Sequence, residues 1–331
     1  MQESILVDKF GRKHDYLRVS LLERCNLRCT YCMPEEGIAL RDKNEFLSQE
    51  ELLQIIQTFV HLGVKKIRFT GGEPLIKKNF TSILSNVAKL PLELSITTNG
   101  VLLDKFWDDF EKYGLRNINI SLDTFVAQKF KQITRRNDFD RVFENILKTI
   151  KKGFQVKINV VLIKGTNDDE IIDFIEFTRT RNVEVRFIEF MPFNGNKWET
   201  SKKVSEQEIL EITKRHFGKE NLTRLPIKKN ATARKFQIND FKGAFGIIST
   251  VTNPFCDSCN RLRLTADGKM KNCLFSSNET DLLKALRNGE QISDYILENV
   301  VSKKAAKAGI EDFSKGIEQA ENNRPMITIG G

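Results

Sequence analysis

No run in these 331 residues approaches the roughly 18 apolar residues of a helical membrane span. The polar, charged stretch from Met1 to Arg12 also lacks the apolar h-region of a secretory signal. Both absences lead us to expect a cytoplasmic protein with no membrane partner. Six cysteines are sparse for a disulfide scaffold, and they fall into two local triplets, Cys25, Cys29, Cys32 and Cys256, Cys259, Cys273, a partition that favours metal over disulfide. Histidine is nearly missing: His14 lies on the far side of an apolar run from the first triplet, and none follows His216. Neither triplet therefore has a histidine at zinc-finger spacing. There is no basic tail, no low-complexity tract and no internal repeat beyond a strand–helix unit.

What is present suits a globular enzyme: 40% hydrophobic and 29% charged residues, enough for a large core. The net charge of +9 comes from 53 Lys plus Arg against 44 Asp plus Glu. That excess permits a nucleic-acid partner and equally suits a nucleoside triphosphate. The basic residues are dispersed, and short clusters such as Arg135, Arg136 and Lys228, Lys229 read as solvated faces.

Tyr16 to Leu22 alternates apolar and polar residues as a half-buried strand does. Ser48-Gln-Glu-Glu51 is a capping box opening a helix to Gly63, and Lys66 to Thr70 is a strand ending in Gly71-Gly72-Glu73-Pro74. Helix and strand then alternate: helix 83–90 and strand 93–97, helix 103–113 and strand 117–122, helix 139–152 and strand 155–162, helix 168–180 and strand 184–189. Six strands so connected predict a parallel sheet curling into a partial (βα)6 barrel through about residue 195, closed by a C-terminal region, 196–331, that carries the second triplet. Within that region Ser205-Glu-Gln-Glu208 caps a helix, residues 218–240 read as an irregular connector, and 241–252 as a strand. Polar residues gather at the strand ends, at Gly71-Gly72-Glu73, Thr97-Thr98-Asn99, Ser121 with Asp123, and Glu189 with Met191, where α/β folds bind ligands.

Three cysteines spaced by three and then two residues can each take one iron of a cubane cluster and leave the fourth iron open. A thioredoxin-like dithiol at Cys29 and Cys32, or a zinc site, are the alternatives. The second triplet is again one ligand short. Either a carboxylate such as Asp257 completes it, or a second cluster keeps an open iron, and Arg261 and Arg263 beside it suit a bound phosphate.

The first triplet, with Tyr31 before its last cysteine and Gly71-Gly72-Glu73-Pro74 ending the next strand, resembles the radical S-adenosylmethionine superfamily. Within it the chain resembles the GTP 3',8-cyclase family of molybdenum-cofactor biosynthesis. That likeness rests further on Phe10-Gly-Arg, Tyr16-Leu-Arg-Val-Ser, Thr97-Thr-Asn-Gly, Asn119-Ile-Ser-Leu-Asp, Val156-Lys-Ile-Asn, Arg186-Phe-Ile-Glu-Phe-Met191, Arg261-Leu-Arg263 and the final Gly330-Gly331. The resemblance implies a lyase with two 4Fe-4S clusters, ligated by Cys25, Cys29, Cys32 and by Cys256, Cys259, Cys273. It implies S-adenosylmethionine at Tyr31, Gly72, Ser121 and Met191, and GTP at Arg18, Arg68, Thr97, Lys157 and Arg261, Leu262, Arg263, with Arg261 and Arg263 also catalytic. A 5'-deoxyadenosyl radical would abstract the GTP 3' hydrogen, the sugar radical would attack guanine C8, and the glycine tail would reach into the site. Implied partners are GTP, a reduced flavodoxin or ferredoxin, and a downstream cyclic pyranopterin monophosphate synthase, with no nucleic acid and a monomer or homodimer as the assembly. The rival expectations are a two-cluster enzyme of the same superfamily acting on peptide or RNA, and a zinc-stabilised nucleic-acid-binding protein.

Overall fold

The structure, a computed structural model, describes residues 5–34, 36–39, 41–227, 229–313 and 323–330. Gly331 and Lys228 lie outside the described residues. The strands in chain order are β1 Tyr16–Ser20, β2 Lys66–Thr70, β3 Glu93–Thr98, β4 Asn117–Ser121, β5 Gln155–Leu162 and β6 Glu184–Glu189, then β7 Leu222–Arg224, β8 Arg234–Ile238, β9 Ala244–Ile248, β10 Arg261–Leu264, β11 Lys269–Lys271 and β12 Thr280–Asp281. All twelve form one sheet in the order β12-β11-β10-β1-β2-β3-β4-β5-β6-β9-β8-β7. The first six pair in parallel, as the expected strand–helix alternation requires.

The sheet is open. The later strands lengthen it at both edges instead of closing it into a ring: β10 adds in parallel to β1, and β9 in parallel to β6. Residues 218–240 are not an irregular connector. They contain β7 and β8, which pair antiparallel, Leu222 opposite Ile238 and Arg224 opposite Phe236. Their composition hides them because edge strands carry charge on the solvent side: Phe236 and Ile238 are buried while Arg234, Lys235 and Gln237 are not.

The helices are α1 Gln49–His61, α2 Phe80–Val87, α3 Trp107–Lys112, α4 Ala127–Thr134, α5 Phe139–Lys151, α6 Ile171–Glu176, α7 Glu206–Phe217, α8 Leu282–Arg287 and α9 Ile292–Val301, with a last short turn at Met326–Ile329. Both capping boxes form. Ser48 Oγ accepts from the Glu51 amide at 3.1 Å while Glu51 accepts from the Ser48 amide at 2.8 Å, and Ser205 and Glu208 repeat the pattern. Two expected helices are shorter, because 103–105 and 168–170 wind as 3-10 turns. Helix α4 was not expected. It places its C-terminus against the first cysteine loop.

Between sheet and helices the core is rich in phenylalanine, with Phe59, Phe69, Phe80, Phe110, Phe174, Phe187 and Phe245 fully buried. A second apolar cluster, of Phe190, Phe193, Trp198, Phe275, Ile310, Phe313 and Ile329, packs the chain end against the segments following β6 and Cys273. No helix among the described residues is long and apolar enough to cross a membrane.

Candidate functional site

At the carboxyl ends of the parallel strands lies a cavity of about 290 Å³ whose wall holds all six cysteines. None is in a disulfide. The first loop is set by backbone bonds: the Cys32 amide donates to the Cys29 carbonyl at 3.1 Å, and the Arg28 and Thr30 amides donate to the carbonyls of Thr134 and Ile133 at the end of α4, each at 2.9 Å. Asn99 Nδ2 approaches Cys25 Sγ at 3.6 Å. Burial pushes the Cys25 thiol up to about 11, reinforced by the Glu73 carboxylate, and the Cys32 thiol up to about 12, reinforced by Cys25 and Asp123.

The second triplet has a different field. Burial opposes ionisation of Cys259, but Arg261 and Lys303 outweigh it and bring the thiol down to about 6. Lys303 Nζ stands 3.5 Å from Cys259 Sγ and donates to the Arg261 carbonyl at 3.0 Å. Arg12 ties the same loop down, donating to the carbonyls of Cys256 at 2.9 Å, Lys304 at 2.8 Å and Ala305 at 2.6 Å. Asp257 is exposed and absent from the cavity wall, so the structure does not offer it as the missing ligand. A four-donor zinc site needs its ligands about one centre. Among the described residues no three His, Cys, Asp or Glu side chains are gathered that way. Three thiols in each loop are the donor set that a cluster with one open iron would take.

The glycine turn is fixed by close backbone approach. A Cβ on Gly72 would stand 2.1 Å from the Arg24 carbonyl oxygen, and one on Gly71 2.7 Å from that of Leu22. The turn therefore rests directly on the segment leading to Cys25, with the Gly72 amide donating to Leu22 at 2.7 Å and the Glu73 amide to Arg24 at 2.8 Å. Glu73 then turns inward and accepts from Thr98 Oγ1 at 2.8 Å, the Asn99 amide at 2.7 Å and the Leu75 amide at 3.0 Å. Burial raises its carboxyl to about 7. On the other side of the loop Tyr31 donates to Asp123 at 2.7 Å, and Asp123 also accepts from the Val161 amide at 2.8 Å. Tyr31, Gly72, Thr97, Ser121 and Met191 all line the cavity.

Among the described residues the wall also carries six cations, Arg18, Arg68, Arg186, Arg261, Arg263 and Lys307. Strand register makes three of them neighbours, Arg263 opposite Arg18 and Arg18 opposite Arg68. Burial lowers the pKa of Arg18, that of Arg68 to about 10, and that of Arg263 far below its ordinary value, with the neighbouring arginines adding to each. Arg18 Nε is buried without a hydrogen-bond partner, as is the cavity-lining Asn159 Oδ1. A row of desolvated like charges with an idle donor is a costly arrangement that a polyanion would relieve.

Two of the residues expected at the GTP site, Leu262 and Lys157, are not among those lining the cavity. Leu262 lies between two cavity-facing arginines on an alternating strand, so its side chain is wholly buried in the core on the opposite face. Lys157 stands beside the cavity rather than in its wall. Burial and Arg186 bring its ammonium down to about 8. Lys303, Arg186 and Asn159 were missed as site residues; Arg186 and Asn159 sat inside quoted motifs, while Lys303 had no local signal.

The chain end enters the same place. Arg263 donates to the Gly330 carbonyl. Gly330 has φ +85, and a Cβ there would meet Thr70 Oγ1 at 2.3 Å and Ser20 Cβ at 3.0 Å, at the ends of β2 and β1. Arg324 anchors the segment through Asp267 at 2.8 Å and Glu279 at 2.6 Å. Lys271, fully buried, donates to Asn323 Oδ1 at 2.8 Å. A second, wider groove of about 640 Å³ lies between α8 and α9. Its wall carries Glu279, Asp281, Glu290 and Glu298 and none of the cysteines, the wrong sign for a triphosphate.

Residues 19–178 match the family model for the Radical SAM superfamily, and residues 183–309 match Molybdenum Cofactor Synthesis C. A protein of Arabidopsis thaliana named GTP 3',8-cyclase, mitochondrial, is 46% identical over 99% of this chain and 84% of its own. The GTP 3',8-cyclase of Thermodesulfovibrio yellowstonii is 44% identical over 98% of this chain and 99% of its own. The chain spans about half the length of other curated relatives, among them Molybdenum cofactor biosynthesis protein 1 of Dictyostelium discoideum, 44% identical over 98% of this chain and 52% of that protein. Among solved structures, SuiB of Streptococcus suis superposes with a TM-score of 0.61 over 91% of this chain and 72% of its own, at 14% identity, a likeness of fold alone.

Proposed function

The chain belongs to the GTP 3',8-cyclase family of the radical SAM superfamily, and on that premise we propose that it converts GTP to 3',8-cyclo-7,8-dihydro-GTP, an early step in making molybdopterin. The observation that carries this reading is the in-register row Arg263, Arg18, Arg68 in the wall that also holds both cysteine triplets, with the buried Arg18 Nε donor idle. Two iron–sulfur clusters and S-adenosylmethionine, when bound, would supply one-electron cleavage chemistry, hydrogen abstraction from the ribose and a metal anchor for the guanine.

In this reading Cys25, Cys29 and Cys32 hold the first cluster, and Cys256, Cys259 and Cys273 the second. Arg18, Arg68 and Arg263 bind the triphosphate, with Arg261 and Thr97 along the nucleotide and Lys157 adding positive potential from beside the wall. Arg261 and Arg263, nearest the second triplet, carry the catalytic assignment. Gly72, Ser121 and Met191 form the S-adenosylmethionine side, and Tyr31 is held there by its bond to Asp123. Leu27, Val161, Ile188, Ile248 and Phe275 make the rest of the wall apolar, which excludes water and strengthens every charge contact inside.

An acidic electron carrier such as flavodoxin or ferredoxin and a cyclic pyranopterin monophosphate synthase are the protein partners of this reading. The chain acts as monomer or homodimer in the cytoplasm, although the Arabidopsis relative is named as mitochondrial. The test is anaerobic. Reconstituted, reduced protein is incubated with S-adenosylmethionine and each nucleoside triphosphate in turn. GTP alone should be consumed with release of 5'-deoxyadenosine; equal consumption of ATP, or release independent of any nucleotide, would overturn the substrate assignment.

A further inference from the structure

The pair Arg135, Arg136, which reads in the sequence as a solvated face, lies against the first cysteine loop. Helix α4 ends where that loop bonds to the Thr134 and Ile133 carbonyls. Arg135, at φ +56, stops the helix, and its guanidinium reaches the Arg28 carbonyl at 3.4 Å. Arg136 donates to the Arg135 carbonyl at 2.8 Å. Residues 24–32 and 131–137 together contribute Arg24, Arg28, Lys131, Arg135 and Arg136 and no carboxylate.

Arg24, Lys131 and Arg136 are exposed and Arg135 is half-exposed. Among the described residues none of these four forms an ion pair, whereas the exposed Arg116, Arg141, Arg179 and Arg287 each hold a carboxylate. The second triplet is surrounded differently. Of the cations about it, Arg12 and Lys303 are buried and committed to loop carbonyls, Arg261 and Lys307 line the cavity, and Lys304 is exposed. The first triplet thus has an outward-facing basic rim of Arg24, Lys131, Arg135 and Arg136.

We infer that this rim is the docking surface for an acidic electron-carrier protein that delivers reducing equivalents to the first triplet's cluster, an inference that rests on the proposed function. One electron leaves the partner's reduced low-potential carrier, which is oxidised by one electron, and enters beside Cys25, Cys29 and Cys32; no proton or group is transferred. Complementary charge steers such encounters and sets their orientation, and it weakens with ionic strength. The rim is small and sits at the redox loop, which favours a compact acidic redox protein over a nucleic acid needing a longer basic track.

The test compares the reconstituted parent, the double variant Arg135→Glu/Arg136→Glu, and a charge-matched control, Lys112→Glu/Arg116→Glu, at the amino-terminal end of β4. Binding of oxidised flavodoxin is titrated at low and moderate salt. Cleavage of S-adenosylmethionine is followed with reduced flavodoxin and, separately, with dithionite. We expect the rim variant to bind flavodoxin about tenfold more weakly at low salt, with the difference shrinking as salt rises, unchanged dithionite-driven cleavage and a control like the parent. Unchanged binding, equal weakening in the control, or a matching loss with dithionite would overturn the inference, as would a single-stranded RNA that binds the rim while flavodoxin does not. Failure of the GTP reading would appear instead as a parent inactive on GTP with either reductant, and the binding comparison would stand apart from it.

Discussion

Arg18 and Arg263 stand opposite one another on parallel strands β1 and β10, two like charges in register in the cavity wall, Arg263 buried and Arg18 half-buried. The pair itself gains nothing in folding, and Tyr16 beside Arg18 and the Gly330 carbonyl on Arg263 offset its cost only in part. Desolvation and mutual repulsion both oppose it, so its consequence must appear when an anion is present.

Arg18→Gln should therefore leave the ligand-free protein as stable as the parent or slightly more stable, because it removes a desolvated cation with no acid partner. The same change should weaken GTP binding by about 2–5 kcal/mol, the usual cost of losing one partner of a buried charge pair. Thermal unfolding with and without GTP reads both effects, and a loss of ligand-free stability with GTP binding intact would contradict the account.

Gly72→Ala adds a Cβ to a position held 2.1 Å from a backbone oxygen, where no flexible side chain can yield. We expect a loss of about 1–3 kcal/mol in urea unfolding of the apoprotein and poor iron retention at the first triplet. Gly72 is not among the positive-φ glycines, so the effect is steric. Gly114→Ala, with open space around it but φ +72, should cost stability through backbone strain while leaving iron content intact.

Gly330→Ala should displace the chain end from the Thr70 and Ser20 side chains and free Arg263 from the Gly330 carbonyl. Turnover of GTP should fall at least about tenfold, roughly 1.4 kcal/mol or more, while iron content and unfolding of the core stay near parental values. Turnover that survived would show that the tail is not needed in its observed place.

His14 provides the pH dependence. It is fully buried with Nε2 3.1 Å from Asp8, and burial, followed by the charge of Lys303, lowers its pKa from 6.5 to about 4. The unfolded chain thus binds more protons than the folded one between those values, so stability rises with pH through the window and is lost as pH falls from about 6.5 toward about 4. The contribution is about 3 kcal/mol. His14→Gln should remove that slope from urea unfolding measured between pH 4.5 and 7, and an unchanged difference between the two proteins across the range would contradict it.

Much of this was legible because it is local. The cysteine spacings, the capping boxes at Ser48 and Ser205, and the strand that ends at Gly71 are each written within a few adjacent residues. What the sequence hides is register. That β10 would lie beside β1, setting Arg263 against Arg18, depends on a pairing between distant segments that no local pattern encodes. Leu262 was carried along with its flanking arginines although strand alternation sends it to the core. Residues 222–238 form an edge hairpin whose charged outer face looks like a loop, and Lys303 touches Cys259 only because the end of α9 folds back on the second triplet.

The central claim is that two four-iron clusters share one cavity, with a triphosphate on the arginine row between them. Anomalous iron scattering from anaerobic crystals grown with GTP tests it directly. The account predicts one iron peak at Cys25, Cys29, Cys32, a second at Cys256, Cys259, Cys273, and triphosphate density against Arg263, Arg18 and Arg68. A zinc peak at either triplet, or a triphosphate bound away from that row, would contradict it.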